Sequence, residues 1–166
     1  MLGVWHFSFT VSNLDQAVDF YTRHLGLECI LRQEQDNEYS RTLVGYPNAK
    51  LRIAQLVVPG QPRRLSSHDL ELVEYVTPLG LRQDDNICNP GAAHLALTVS
   101  DIHLLYSRMH AEGVEFFSEP VYITAGVNQG GYSVYFYGPD RIVHELVQPP
   151  PEHLPSSQPE PTVVGS

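Results

Sequence analysis

The chain of 166 residues carries 19 acidic against 10 basic side chains, a net charge of −9, and its basic residues cluster only at Arg63-Arg64. This balance argues against nucleic acid or an anionic membrane as partner and leaves a small molecule as the expected ligand. No secretory pattern and no apolar run of about 18 residues occurs. The two cysteines, Cys29 and Cys88, have no Cys-x-x-Cys spacing, so reduced thiols in the cytoplasm are expected.

From Val4 to Val11 the residues alternate, Trp5, Phe7, Phe9 and Val11 against His6, Ser8 and Thr10, which predicts a strand apolar on one face with His6 on the other. Ser12 or Asn13 caps a helix in which Leu14, Ala17, Val18, Tyr21 and Leu25 recur in phase until Gly26 ends it. ILRQEQ, EYSRTLVGY and AKLRIAQLVV then read as a meander of three strands, broken at Asp36-Asn37 and Tyr46-Pro47-Asn48. After a polar excursion over 59–67, a further strand spans Asp69 to Val76, with Glu71, Val73 and Tyr75 on one face. His68 is a candidate for the mouth of a cavity.

A connector rich in turn residues, 77–90, leads to Gly91 and a second strand-helix unit. Ala93, Leu95, Leu97 and Val99 alternate with His94, Ala96 and Thr98. Ser100 or Asp101 caps a helix carrying Ile102, Leu105, Tyr106 and Met109, ended by Gly113. Val114–Phe117, Val121–Thr124 and Tyr132–Tyr137 are strand candidates, and a turn at Gly138-Pro139-Asp140 precedes a closing strand from Ile142 to Gln148, where Val143, Glu145 and Val147 share a face. The segment 149–166 is proline-rich and expected to be a disordered tail.

The second unit repeats the first. His-Leu-Ala-Leu-Thr-Val-Ser-Asp from His94 echoes His-Phe-Ser-Phe-Thr-Val-Ser-Asn from His6, with four identities at a constant offset of 88 residues. The expected fold is therefore α+β, two tandem βαβββ modules whose curved sheets surround a central cavity. A single domain spans 1–148, with module one at 1–80, a linker at 81–90 and module two at 91–148.

Each module opens with a His on the polar face of its first strand and ends with a Glu on its last, so His6, Glu71, His94 and Glu145 form a candidate set of two nitrogens and two oxygens. Such a set suits one divalent ion, Zn, Ni, Co, Mn or Fe, and on an octahedral ion leaves two positions open. Glu74 competes with Glu71, because a one-residue slip reverses the faces of a strand. His24, His103 and His110 fall on polar helix faces, His144 opposite Glu145, and His153 in the tail. Tyr75 and Tyr135 are secondary candidates to face the cavity, Asn128 with Gly130-Gly131 reads as a turn, and Tyr21 and Tyr106 read as core.

The stretches TVSNLDQAVDFYTRHLGL after His6, DLELVEYVTPLG, LALTVSDI after His94 and YFYGPDRIVHEL make the chain resemble the vicinal oxygen chelate superfamily: glyoxalase I, methylmalonyl-CoA epimerase, extradiol dioxygenases and bleomycin-resistance proteins. The closing turn departs from the usual Asp-Pro-Asp-Gly-Asn of that superfamily. The resemblance implies that the four residues bind one metal and that Glu71 and Glu145 are the catalytic acid and base. The implied reaction is proton transfer next to a carbonyl, as an isomerase, epimerase or glyoxalase-type lyase acting on a small-molecule substrate. The alternatives are an extradiol Fe(II) dioxygenase and a non-catalytic small-molecule binding protein. Open sheet edges suggest a homodimer.

Overall fold

The computed structural model describes residues 2–61 and 69–154; His68 and Arg63-Arg64 lie outside the described residues. In the first half, β1 (His6–Thr10), α1 (Leu14–Leu25), β2 (Glu28–Gln35), α2 (Glu38–Val44), β3 (Lys50–Val57) and β4 (Asp69–Thr77) follow one another. The second half contains β5 (His94–Thr98), α3 (Ile102–Ala111), β6 (Val121–Tyr122), β7 (Tyr132–Tyr137) and β8 (Val143–Gln148). Each half builds a four-stranded sheet of the same order, β1-β4-β3-β2 and β5-β8-β7-β6, so the fold is α+β. No helix among the described residues is long and apolar enough to cross a membrane.

The described residues through His94 form one compact unit together with Tyr137–Val143, and Leu95–Phe136 with the described residues from His144 onward form a second. In the first unit β1 pairs in parallel with β4, and β3 pairs antiparallel with both β4 and β2. One face of this sheet carries Ala54, Leu56, Leu70 and Leu72, all buried, and α1 lies against β2, β3 and β4. The helix is set by both its ends. The Asn13 side chain accepts the Gln16 N–H at 3.0 Å, and Gly26 leaves in the left-handed conformation at φ 69°, which only glycine adopts without strain.

The opposite face carries His6, Ser8 and Thr10 on β1, Glu71, Val73 and Tyr75 on β4, and Leu51, Ile53 and Gln55 on β3, as the paired registers dictate. Part of it is apolar. Ala49, Leu51 and Ile53 are buried there, with Val44, Val73 and Tyr75 packed against them.

Several expectations are corrected. EYSRTLVGY is a helix, not a strand: Asn37 accepts the Ser40 N–H with its side chain at 2.9 Å and the Ser40 hydroxyl with its carbonyl at 3.0 Å, while Gly45 closes the other end at φ 75°. Val114–Phe117 makes only an isolated bridge from Phe116 to Phe136, and β6 has shrunk to two residues. The apolar face of β1 stays half open, Trp5 59% and Phe7 46% exposed, because β1 sits at the end of the sheet order while α1 lies over β2 to β4. His24 is buried, completing the arc of Leu14, Ala17, Val18 and Tyr21 with its ring 4.8 Å from Phe20. Tyr106 is half-exposed rather than core and meets Phe116 edge-on at 4.7 Å. The segment after β8 includes a 3-10 turn at Pro151–His153.

Two polar clusters fix the first unit. Glu74 accepts the Leu14 N–H at 3.0 Å and Arg52 Nη1 at 2.9 Å, and Arg52 Nη2 reaches Asp15 at 2.9 Å, so the first turn of α1 is tied to β3 and β4. Asp140 accepts the Ser12 backbone N–H at 2.7 Å and the Ser12 hydroxyl at 2.6 Å, which anchors the unusual turn before β8. Asp140 and Arg141 both hold positive φ, 55° and 59°, a cost of about 1–3 kcal/mol each for non-glycine residues. The Ser12 bonds offset it at Asp140. At Arg141 the guanidinium pairs with Asp85 and lies 3.7 Å over the Tyr137 ring.

Replacing Glu74 by Ala leaves the Leu14 N–H and Arg52 short of a partner, so urea denaturation should show a loss of about 1–3 kcal/mol, whereas Glu71→Ala should cost less than half of that. The Arg52 and Arg32 guanidiniums hold the Asp15 carboxyl below the usual carboxylate range. Its contribution is therefore complete above the unfolded value near 3.9 and lost as pH falls through the lower folded value; Asp15→Asn should flatten the acid side of the stability profile below about pH 4.

Candidate metal centre

The parallel register of β1 and β4 sets His6 opposite Asp69 and Ser8 opposite Glu71. His6 and Glu71 are thus diagonal neighbours on one face, His6 Nε2 standing 3.6 Å from Glu71 Oε1 with side chains 32% and 17% exposed. That separation is too long for a hydrogen bond. It is close to the ~3.0–3.4 Å between two donor atoms each held about 2.1 Å from one ion, so the pair fits a borderline or hard divalent cation. The His6 Nδ1 is buried with no hydrogen-bond partner among the described residues, so the ring's polarity at that atom is not spent on the fold. Ser8 Oγ–H donates to Glu71 Oε1 at 3.3 Å and orients the carboxylate.

The sheet turns Glu71 and Glu74 to opposite faces. Glu74 points to the α1 side, where Leu14 and Arg52 occupy its oxygens. Glu71 points the other way, toward His6.

In the second sheet the backbone repeats this arrangement. The Val11 N–H donates to the Val73 carbonyl at 2.9 Å, and the Val99 N–H to the Val147 carbonyl at 2.9 Å. His6 and His94 each lie five residues before the donor, and Glu71 and Glu145 each two before the acceptor, so the four candidates occupy equivalent places in their sheets. The side-chain support differs. Ala96 stands where Ser8 stands in the first half, and Glu145 Oε1 instead accepts Ser133 Oγ–H at 2.5 Å from β7. Tyr135 is pushed above its ordinary range, first by burial, then by the Glu145 charge and a hydrogen bond to that carboxylate. Among the described residues no three His, Cys, Asp or Glu side chains are gathered for a metal; the structure brings together the pair His6 and Glu71.

Sequence reasoning passed over Ser8, Ser133, Asp69 and Gln55. Ser8 was findable, since it shares the period-two face of His6. Ser133 and Gln55 were not, because their places beside Glu145 and Glu71 depend on strand registers that only pairing fixes. His144 is buried on the side of β8 opposite Glu145, its ring 5.2 Å from Phe136.

Two sheets of identical strand order, each with a His on its first strand and a Glu on its last, define a tandem βαβββ protein with a repeated His/Glu pattern. Over residues 3–155 the chain matches the Glyoxalase/Bleomycin resistance protein/Dioxygenase superfamily, and it belongs to that family. It is 34% identical over 153 residues to a 2-epi-5-epi-valiolone epimerase of Actinomyces sp., covering 90% of this chain and 80% of that one. Among solved structures it resembles a glyoxalase family protein from Bacillus cereus, with a TM-score of 0.76 at 22% identity covering 90% and 95% of the two chains. It also resembles the trypanothione-dependent glyoxalase I of Leishmania major, TM-score 0.62 at 21% identity, covering 87% and 85%. At these identities the structural likenesses establish the fold.

Protein purified without chelator should carry about one divalent ion per chain by elemental analysis, and His6→Ala or Glu71→Ala should lower that occupancy at least tenfold at limiting metal. Full occupancy in both variants would remove His6 and Glu71 from the ligand set.

Proposed function

We propose that the protein is a divalent-metal-dependent epimerase that exchanges a proton on a carbon next to a carbonyl, with His6, Glu71, His94 and Glu145 as metal ligands and Glu71 and Glu145 as acid and base. The observation that carries the reading is the His6–Glu71 pair on one sheet face, with His94 and Glu145 at the equivalent backbone positions of the other sheet. The epimerase relative, at 34% identity over 90% of the chain, directs it to epimerisation rather than to a lyase reaction.

A bound divalent ion supplies Lewis-acid stabilisation of negative charge on the substrate's carbonyl oxygen. The chain's own residues supply the rest. A ketone carrying a hydroxyl on the neighbouring carbon presents two oxygens to the site while its adjacent C–H lies within reach of a carboxylate. Glu71 and Glu145 serve as the groups that take and return that proton, which inverts the carbon without net change in atoms. The hydroxyl of Ser8, bonded to the Glu71 oxygen that faces His6, and that of Ser133, bonded to Glu145, orient the two carboxylates. Tyr135, kept protonated and bonded to Glu145, is a second donor at that carboxylate.

Extradiol ring cleavage needs three open positions on Fe(II) beside two His and one carboxylate. Glu71, turned toward His6 rather than toward α1, adds a fourth protein ligand and favours proton transfer.

The test follows the substrate proton. With protein loaded with Zn, Mn, Co or Ni in D2O, 2-epi-5-epi-valiolone should lose its proton signal next to the ketone and gain a second diastereomer. Glu145→Gln and Glu71→Gln should each lower kcat by roughly 10²-fold or more. Oxygen uptake with Fe(II) and catechols would replace the reading by ring cleavage, and tight binding of a ketone with no exchange would make the chain a binding protein.

A further inference from the structure

The imidazole of His6 has two nitrogens in different surroundings. Nε2, at the far end of the ring, faces Glu71 Oε1 at 3.6 Å. Nδ1, next to the ring's attachment point, is buried and has no hydrogen-bond partner among the described residues. Buried polar atoms are as a rule hydrogen-bonded, so an acceptor beside Nδ1 is called for. A histidine that ligates a metal through one nitrogen is held best when the other donates its proton to a carboxylate, because that bond fixes the tautomer and the ring plane and raises the basicity of the ligating atom.

The carboxylate in place to accept is Asp69. It is paired in register with His6 across the parallel strands, and alternation along β4 puts it on the same face as Glu71. Neighbouring strands lie about 4.8 Å apart, so the two side chains rise side by side from the sheet. Side-chain length then matches acid to nitrogen. The short, deeply set Asp69, 6% exposed, lies at the level of Nδ1, while the longer Glu71, one diagonal away, meets Nε2. A carboxylate accepts at about four lone-pair sites, so a bond from His6 is compatible with the other contacts of Asp69. Glu71 gives the proton no reason to move to Nε2, since 3.6 Å is too long for a hydrogen bond there.

The second sheet is built differently at this point. Asp69 lies two residues before Glu71, and the residue two before Glu145 is Val143, which is buried and offers no side-chain acceptor. Resting on the reading of His6 as a metal ligand, we propose that Asp69 is a positioning residue that accepts the Nδ1 proton of His6 and so holds the ring in the tautomer that leaves Nε2 open toward Glu71 for a divalent ion. His94 has Val143 in the place of that support.

The test reads the tautomer and the metal separately on the full chain. Long-range proton–nitrogen NMR spectra of metal-free protein, recorded near pH 9 so that imidazoles of ordinary pKa are neutral, report which nitrogen carries the proton, and His6→Ala assigns the signals by their loss. His6 should be the Nδ1–H tautomer in the native chain and turn mainly to Nε2–H in Asp69→Val, which gives the first sheet the residue of the second. Competition with a chelator for Zn should show affinity lowered at least tenfold in Asp69→Val and by less in Asp69→Asn, whose amide oxygen still accepts from Nδ1–H without the charge. Melting curves of the metal-free variants identify any that fails to fold, and the tautomer of the native chain decides the matter even if both do. An Nε2–H tautomer in the native chain, or a folded Asp69→Val with native tautomer and native Zn affinity, would overturn the proposal. Unchanged Zn affinity in His6→Ala would instead sink the metal-ligand reading, and the tautomer would still decide whether Asp69 holds the ring.

Discussion

Everything proposed for the first unit depends on the parallel register of β1 against β4. With Ser8 across from Glu71, the imidazole of His6 and the carboxylate of Glu71 lie on one face, 3.6 Å apart. A slip of one residue along β4 would turn Glu71 into the α1 side and bring Leu70 and Leu72 to His6. The apolar face forbids this, since Leu70 and Leu72 are buried there beside Ala54 and Leu56. Burying a leucine contributes roughly 1.5–3 kcal/mol, so exposing two of them outweighs any gain from an alternative pairing. The core thus sets the register, and the register sets the site.

The two polar clusters of the first unit act on the same problem from outside the core. Glu74 joins α1 to β3 and β4 through Leu14 and Arg52, so its carboxylate is engaged on the face opposite Glu71. Asp140 ties the turn before β8 to Ser12, two residues beyond β1, at the cost of two consecutive residues in the left-handed region. A glycine in that turn would remove the backbone cost. Arg141 is kept in its place by Asp85 and the Tyr137 ring, contacts that a glycine cannot make.

The two faces of the first sheet differ in their polar groups. The arginines that hold α1 in place are engaged by Asp15 and Glu74, and the opposite face carries the hydroxyls of Ser8 and Thr10, the Gln55 amide and the carboxylates of Asp69 and Glu71 beside its apolar patch.

The sequence by itself determined the repeat, the family resemblance, the α+β class and the faces of β1 and β8, because period-two alternation and an offset of 88 between two eight-residue stretches need no tertiary information. It did not find α2, whose strand-like EYSRTLVGY becomes helical through caps at Asn37 and Gly45, nor the burial of His24, which follows from how far α1 lies on its sheet. It could not separate Glu71 from Glu74, since both sit on one strand and their faces depend on pairing. Only the tertiary structure placed the two on opposite faces and set the neighbours of Gln55 and Ser133. A residue's face is encoded locally, whereas its neighbour across a strand is fixed by the packing of distant leucines against α1.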